Sequence, residues 1–213
     1  MQRSTSSPSM AVIGATCTSI ARNAASRTAL GHNPAMSNFE ANASGNLGAR
    51  ILKVNHAGEN GAVHIYAGQI LAARLTARDL VADLRAFKSH EERHRALFWA
   101  ELQHRRRPRC RSYWLCGIGG FALGLLTGLL GRRAIAATTV AVERVVLGHL
   151  RDQVARLTGD EAAIAVISAI VNEEQEHHDR FAAQGRGGDV WSALLDPIVA
   201  ASTETVIWLG MRM

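Results

Sequence analysis

The feature that most narrows what this chain can fold into is a pattern of acid and imidazole that occurs twice. Glu59 is followed 32 residues later by Glu91, which opens Glu91-Glu-Arg-His94, and Glu143 is followed 31 residues later by Glu174, which opens Glu174-Gln-Glu-His177. Residues three apart share one face of a helix, so each Glu-x-x-His sets a carboxylate beside an imidazole. A single straight helix would hold Glu59 and Glu91 about 48 Å apart at roughly 1.5 Å per residue, too far to share anything. Each pair therefore calls for a helical hairpin whose turn lies near its midpoint. The chain there reads Arg74-Leu-Thr-Ala77 and Arg156-Leu-Thr-Gly159, two matching tetrapeptides that hint at a duplicated hairpin. A third match, Glu101-x-x-His104, has no carboxylate at the reflected position near Arg50, so Glu101 and His104 are expected at the surface.

Four glutamates and two histidines on four helices are the ligand set of a ferritin-like bundle that holds two iron or manganese ions. Hard carboxylates with imidazole suit either metal, and iron is the one commonly used for oxygen chemistry. The metal candidates are thus Glu59, Glu91, His94, Glu143, Glu174 and His177. His56 and His178 stand close enough in sequence to be ligands, partners of ligands or surface residues. Gly58, Gly61 and Gly68, inside the first helix, would be explained by the close approach of a helix or a ligand, or by bulky neighbours.

Composition agrees with an all-α chain. Of the 213 residues 47% are hydrophobic but only 5% aromatic, which favours packed helices over a β-sandwich. From residue 47 onward apolar residues recur at three and four, predicting helices near 47–74, 79–104, 132–156, 160–183 and from about 190 to the end. Thr76 to Asp79 should end one helix and cap the next, Asp160 should cap a helix after Gly159, and Asp196 before Pro197 should cap a second half of the last helix. Cys17, Cys110 and Cys116 form neither a zinc-ribbon pair nor a disulfide framework, which implies a reducing compartment.

Residues 1–46 are rich in Ser, Ala, Asn and Thr and carry no acid before Glu40. They are expected to be a disordered tail ahead of a domain at 47–213: a transit segment, a leader, or sequence upstream of a true start at Met36.

The net charge of +6 and a pI near 10.0 call for an anionic partner. Arg105, Arg106, Arg107, Arg109 and Arg111 precede the uncharged run Tyr113 to Leu130, and Arg132 and Arg133 follow it. Basic residues around apolar sequence fit a membrane surface better than nucleic acid. If that run spanned a bilayer, Glu91 and His94 would lie on the opposite side from Glu143 and His177. It is therefore expected to be a non-spanning crossover helix of about 27 Å that either dips into the interface or is a buried core helix, and the apolar C-terminal stretch from Trp191 to Trp208 either joins it at that surface or packs in the core.

The residues Asn55-His-Ala-Gly-Glu-Asn-Gly61, Ile65-Tyr-Ala-Gly-Gln69, Thr139-Val-Ala-Val-Glu143 and Glu173-Glu-Gln-Glu-His-His-Asp179 closely resemble the demethoxyubiquinone hydroxylases, the di-iron monooxygenases of ubiquinone biosynthesis. Similarity runs from about Arg50 to the C-terminus. The resemblance puts the family's iron ligands on the six residues already chosen, with Glu59 and Glu143 completing the two irons' shells or bridging them. It departs at Ser89 and Asn172, where many relatives are acidic, and so leaves the partners of His94 and His177 unassigned.

The resemblance implies that one atom of dioxygen enters the unsubstituted ring carbon of a polyprenyl demethoxyquinol while the other leaves as water, with NADH the ultimate reductant. The chain has no Gly-rich dinucleotide fingerprint. The arginine-flanked crossover predicts peripheral attachment to a membrane, on the cytoplasmic face in a bacterium or the matrix face of the mitochondrial inner membrane, and the resemblance adds other ubiquinone-biosynthesis proteins as candidate partners. Tyr66, seven residues after Glu59, and His149, six after Glu143, are the candidates for holding the quinol oxygens. The rival readings are a peroxidase or manganese catalase on the same bundle, and a non-catalytic metal-binding protein at a membrane.

Overall fold

The computed structural model describes residues 34–183 and 190–212, so Cys17 and the expectations for residues 1–33 lie outside the described residues. The described elements are α1 (Pro34–Thr76), a 3-10 turn (Arg78–Leu80), α2 (Val81–His104), α3 (Tyr113–Leu129), α4 (Arg132–Arg156), α5 (Glu161–Ala182) and α6 (Val190–Arg212). The compact unit that carries α1 from Glu40 onward and all the later elements is Glu40–Met213. It is all-α: α1, α2, α4 and α5 make a ferritin-like bundle of two hairpins, α3 crosses between them, and α6 lies along α4.

Seven-residue spacing explains the core. Leu52, Glu59, Tyr66, Ala73 and Leu80 are all buried, as are Ala136, Glu143, Leu150 and Leu157, Leu84, Glu91 and Phe98, and Ile167, Glu174 and Phe181. Seven residues make nearly two helical turns, so each set forms one inward stripe. The apolar members gather into two clusters. One holds Tyr66, Leu84, Phe87, Ile135 and Phe181, the other Leu52, Phe98, Leu150, Ile167 and Ile170. The acidic members fall between them, so the bundle is dry at both ends of a polar middle.

The ion pairs at the turns are specific. Arg105, just past α2, grips Asp160 with two nitrogens at 2.6 and 2.7 Å and reaches Glu101 at 2.6 Å. Asp160 also caps α5 by accepting from the Ala163 N–H, as its position after Gly159, at φ 74°, leads one to expect. Glu101 is therefore a half-buried structural acid rather than a surface residue, whereas His104 is exposed.

Helix α3 meets α1 through small residues. A Cβ on Gly68 would stand 2.5 Å from Phe121 O and Leu125 N, and one on Gly124 or Gly120 would overlap the carbonyls of Ile65 and Gly61. Gly61 and Gly68 thus permit a helix to approach, while Gly58 has open space before it. The far face of α3 is bare: Trp114 is 68% and Ile118 71% exposed, so α3 is not a buried core helix.

Three expectations are corrected. Helix α1 already runs from Pro34 among the described residues, well ahead of the expected 47. Asp79 does not cap α2; its carboxylate pairs with Arg132. Pro197 does not break α6, which runs through it. Proline inside a helix costs about 3 kcal/mol, but Leu195 and Val199 on either side are both buried against α4, at about 1.5–3 kcal/mol each. Asp196 goes to Arg144 at 2.8 Å instead of capping.

Among the described residues one segment, Ala193–Arg212, is long and apolar enough to cross a membrane. Both its ends are tied to the bundle, Leu195 and Val199 on α4 and Met211 on the cluster of Leu52 and Phe98, so it lies along the bundle.

Two stability outcomes follow. Replacing Asp160 by Ala should cost about 2–3 kcal/mol, from a lost cap and a charged hydrogen-bond pair, read as a lower urea midpoint. Arg105 holds the Asp160 carboxyl below its usual range. The stability this contributes is therefore present above pH about 3.9, and it fades as pH falls through the lowered value, so wild type and variant should converge in acid. Gly124→Val should cost about 3 kcal/mol by forcing α3 off α1. Gly148→Ala, with nothing within 4 Å, should instead stabilise α4 by about 0.5–1 kcal/mol.

Candidate metal centre

The four bundle helices bring all six candidate ligands to one place. Glu59, Glu91, His94 and Glu174 each offer an atom within 4.8 Å of the others, as do Glu91, Glu143, Glu174 and His177. Glu91 and Glu174 belong to both groups, while Glu59 with His94 and Glu143 with His177 each belong to one. Every one of the six is at least 95% buried. His94 Nδ1 stands 2.8 Å from Glu174 Oε1, and His177 Nδ1 3.1 Å from Glu91 Oε1.

Such a cluster is costly without cations among it. Burial, with Glu91 and Glu174 close by, raises the Glu59 carboxyl well above its ordinary range; burial and Glu174 do the same to Glu143. Burial also resists charge on Glu174, but His177 and His94 override it and hold that carboxyl low. Burial likewise opposes charge on the two imidazoles, yet Glu174 and Glu91 push His94 up to about 11 and His177 to about 9.

The buried atoms His94 Nδ1, His177 Nδ1, Glu91 Oε1 and both Glu174 oxygens have no hydrogen-bond partner of suitable direction. Nitrogen and carboxylate atoms converging in this way, with their bonding capacity unspent, fit a pair of divalent cations. The cluster can bind metal.

The outer nitrogens do have partners. His94 Nε2 lies 3.2 Å from Glu173 Oε2, which Arg93 also holds at 2.9 Å, and His177 Nε2 lies 2.9 Å from His90 Nδ1. The partners left unassigned by the departures at Ser89 and Asn172 thus stand one residue on, at His90 and Glu173. Ser89 instead bonds Ala86 O on its own helix, and Asn172 is exposed. The signal was adjacency to Glu91 and Glu174, which turns a neighbouring side chain toward the opposite hairpin.

Neither alternative histidine joins the groups. His56 is sandwiched between Trp99 and Tyr113, with ring centroids at 5.2 and 4.8 Å, and burial, then Arg109 and Arg95, lowers it to about 4. His178 bonds Asp179 at 3.0 Å. Tyr66 and His149 have different partners. The buried Tyr66 phenol donates to Glu143 Oε1 at 3.1 Å, while His149 meets Glu204 of α6 at 2.8 Å.

A cavity of about 460 Å³ ends on this cluster. Glu59, Glu91, Glu143 and Glu174 form its polar end, and α1, α3, α4 and α6 supply walls such as Val54, Ile65, Leu123, Val146 and Val206. Gly58 and His149 also line it. Leu115 and Ile198 reach both the cavity and solvent, each 60% exposed, so its mouth lies between α3 and α6. Tyr66 lines only a small adjoining space, with Thr139 and Glu143.

Paired Glu-x-x-His helices completed by two further glutamates define the ferritin-like, carboxylate-bridged metal proteins. Within that class the chain belongs to the family described as "Ubiquinone biosynthesis protein COQ7", whose profile matches residues 46–210. It is 37% identical over 166 residues to the 3-demethoxyubiquinol 3-hydroxylase of Rhodospirillum rubrum, covering 77% of each chain. It is 34% identical over 170 residues to the mitochondrial NADPH-dependent 3-demethoxyubiquinone 3-hydroxylase of Homo sapiens, again covering 77% of each. A protein of the latter name in Dictyostelium discoideum is 32% identical over 171 residues.

Replacing Glu143 by Ala should lower metal affinity by more than about 100-fold, beyond the usual loss of a ligand's supporting partner. Helical content should persist, because removing one of four crowded acids relieves repulsion. Metal analysis alongside circular dichroism checks both, and full occupancy would remove Glu143 from the ligand set.

Proposed function

We propose that this chain is a di-iron monooxygenase that hydroxylates the ring of a polyprenyl demethoxyubiquinol. The observation that carries this is the apolar cavity ending on four clustered carboxylates, in a chain of this family. Glu59 with His94 would hold one iron, Glu143 with His177 the other, and Glu91 and Glu174 would be shared. Iron bound there supplies the reductive activation of dioxygen.

The chain's own residues do the remaining work. The aliphatic walls take up the prenyl tail and keep bulk water from the reacting ring. Open space at Gly58 lets the flat head group pass α1 beside Glu59. On the cavity wall, His149 can hold a quinol oxygen, with Glu204 orienting its ring. Tyr66 acts one step back, fixing the direction of Glu143 through its hydrogen bond. An apolar route of this kind suits a lipid substrate and not hydrogen peroxide, which argues against a catalase or peroxidase.

Electrons come from a reduced nicotinamide. The resemblance implied NADH, whereas the names of the human and Dictyostelium relatives specify NADPH, so both are to be compared. The bare apolar faces of α3 and α6, with Arg109 and Arg111 before α3, rest on an anionic membrane surface and present the cavity mouth to it. That surface is the inner membrane's matrix face in a mitochondrion, or the cytoplasmic face of a bacterial membrane. Neighbouring enzymes of ubiquinone biosynthesis would dock there too.

The test is turnover of iron-loaded protein with a short-tailed demethoxyquinol, reductant and heavy-isotope dioxygen. The ring product should carry one heavy oxygen, and a product labelled from water instead would end this reading. His149→Ala should weaken turnover mainly at limiting substrate, by about tenfold for one lost hydrogen bond, without loss of iron. Trp114→Asp with Ile118→Asp should abolish flotation with vesicles containing phosphatidylglycerol while iron content stays normal. Undiminished flotation would mean that α3 is not the contact.

A further inference from the structure

The two hairpins supply matching ligands, but the groups behind the two imidazoles do not match. Both rings turn Nδ1 toward the carboxylates. A neutral imidazole that binds a metal through Nδ1 carries its hydrogen on Nε2, so Nε2 must donate. His94 Nε2–H finds a carboxylate, Glu173, at 3.2 Å. His177 Nε2–H finds only the ring nitrogen of His90, at 2.9 Å. His90 Nδ1 must then accept, so its own hydrogen lies on the other nitrogen.

The difference has a direction. A carboxylate accepting from Nε2–H pushes electron density toward Nδ1 and makes the ring a stronger donor, whereas an uncharged imidazole does so less. Arg93, 2.9 Å from the same Glu173 oxygen, fixes that carboxylate in place. His90 Nδ1 is 3.7 Å from that oxygen, so both partners are parts of one network. A second observation points the same way. The carboxylate grouped with His177, Glu143, gives electron density to the Tyr66 phenol at 3.1 Å. The position seven residues after Glu143, which corresponds to Tyr66 seven after Glu59, is Leu150, which has no hydrogen to donate.

We infer that the two metal positions are unequal, the one on Glu59 and His94 binding the more tightly, and that Glu173 and His90 set the difference. The inference rests on the metal reading above. Glu173 and His90 are positioning residues: each acts through an imidazole and neither touches the metal.

The experiment is an anaerobic titration of the full metal-free chain with Fe²⁺, following free iron by chelator competition, with circular dichroism on each variant. Wild type should bind in two steps separated by about tenfold or more, and Mössbauer spectra should resolve two environments. His94→Ala should abolish the tight step and His177→Ala the weak one. Glu173→Gln should weaken the tight step by about 10–100-fold, bringing the two steps together. His90→Leu should weaken only the weak step, and His90→Gln, which keeps an acceptor, should restore it. Should Glu173→Gln fail to fold, the His90 pair and the two ligand variants still decide the matter. Two indistinguishable steps in wild type, or a Glu173→Gln effect confined to the weak step, would overturn the inference while leaving the di-iron reading intact. A wild type that binds no iron would overturn both.

Discussion

Everything in this protein is arranged around one unfavourable act, the burial of four carboxylates in the middle of a helical core. An ionised carboxylate in such surroundings is stable only beside a compensating cation. The two imidazoles cannot balance four acids by themselves, so protons or metal ions must make up the difference. The fold tolerates the arrangement because the acids interrupt otherwise apolar stripes. Leu52 and Tyr66 flank Glu59, Leu84 and Phe98 flank Glu91, and the two apolar clusters on either side close the bundle whether or not the middle is neutralised. Stability is carried by the ends and chemistry by the middle.

That separation explains what could be read from sequence. The ligand positions were legible because a seven-residue stripe leaves few places for an acid, and because hairpin reflection pairs Glu59 with Glu91 and Glu143 with Glu174. The cap at Asp160 was legible because capping is local. What escaped depends on which neighbour a side chain meets across the bundle. Asp79 looks like a cap, but Arg132 from another helix takes its carboxylate. Pro197 looks like a break, but the burial of Leu195 and Val199 on one face outweighs its missing hydrogen bond. Glu173 and His90 are ordinary helical residues until the opposing hairpin brings an imidazole to each.

The glycines show the same limit. Gly58, Gly61 and Gly68 are equivalent in sequence, each a weak point in a long helix. Only the crossover distinguishes them. Gly61 and Gly68 meet α3, whose own glycines let the two backbones nearly touch, while Gly58, which lines the cavity as Gly61 also does, has nothing within 4 Å. Close contact on one stretch of α1 and open space beside it are two results of one choice of register. An α3 held off by larger side chains would also shift Leu115, Cys116 and Leu123, which wall the cavity.

The duplicated hairpin is therefore symmetric in its ligands and asymmetric in nearly everything that serves them. Tyr66 has Leu150 as its counterpart, and Glu173 has His90. The cavity that α3 and α6 help to wall reaches all four glutamates, but neither His94 nor His177 lines it. A fully symmetric site would offer a bound ring two equivalent ways to approach and no reason to prefer one. Here the apolar wall, the mouth between Leu115 and Ile198, and the polar wall residue His149 all lie on the substrate's side, while Glu173, His90 and Arg93 lie behind the imidazoles. The side that meets substrate is thus free to be apolar and permissive, because the directional hydrogen bonds that hold the ligands are made on the other.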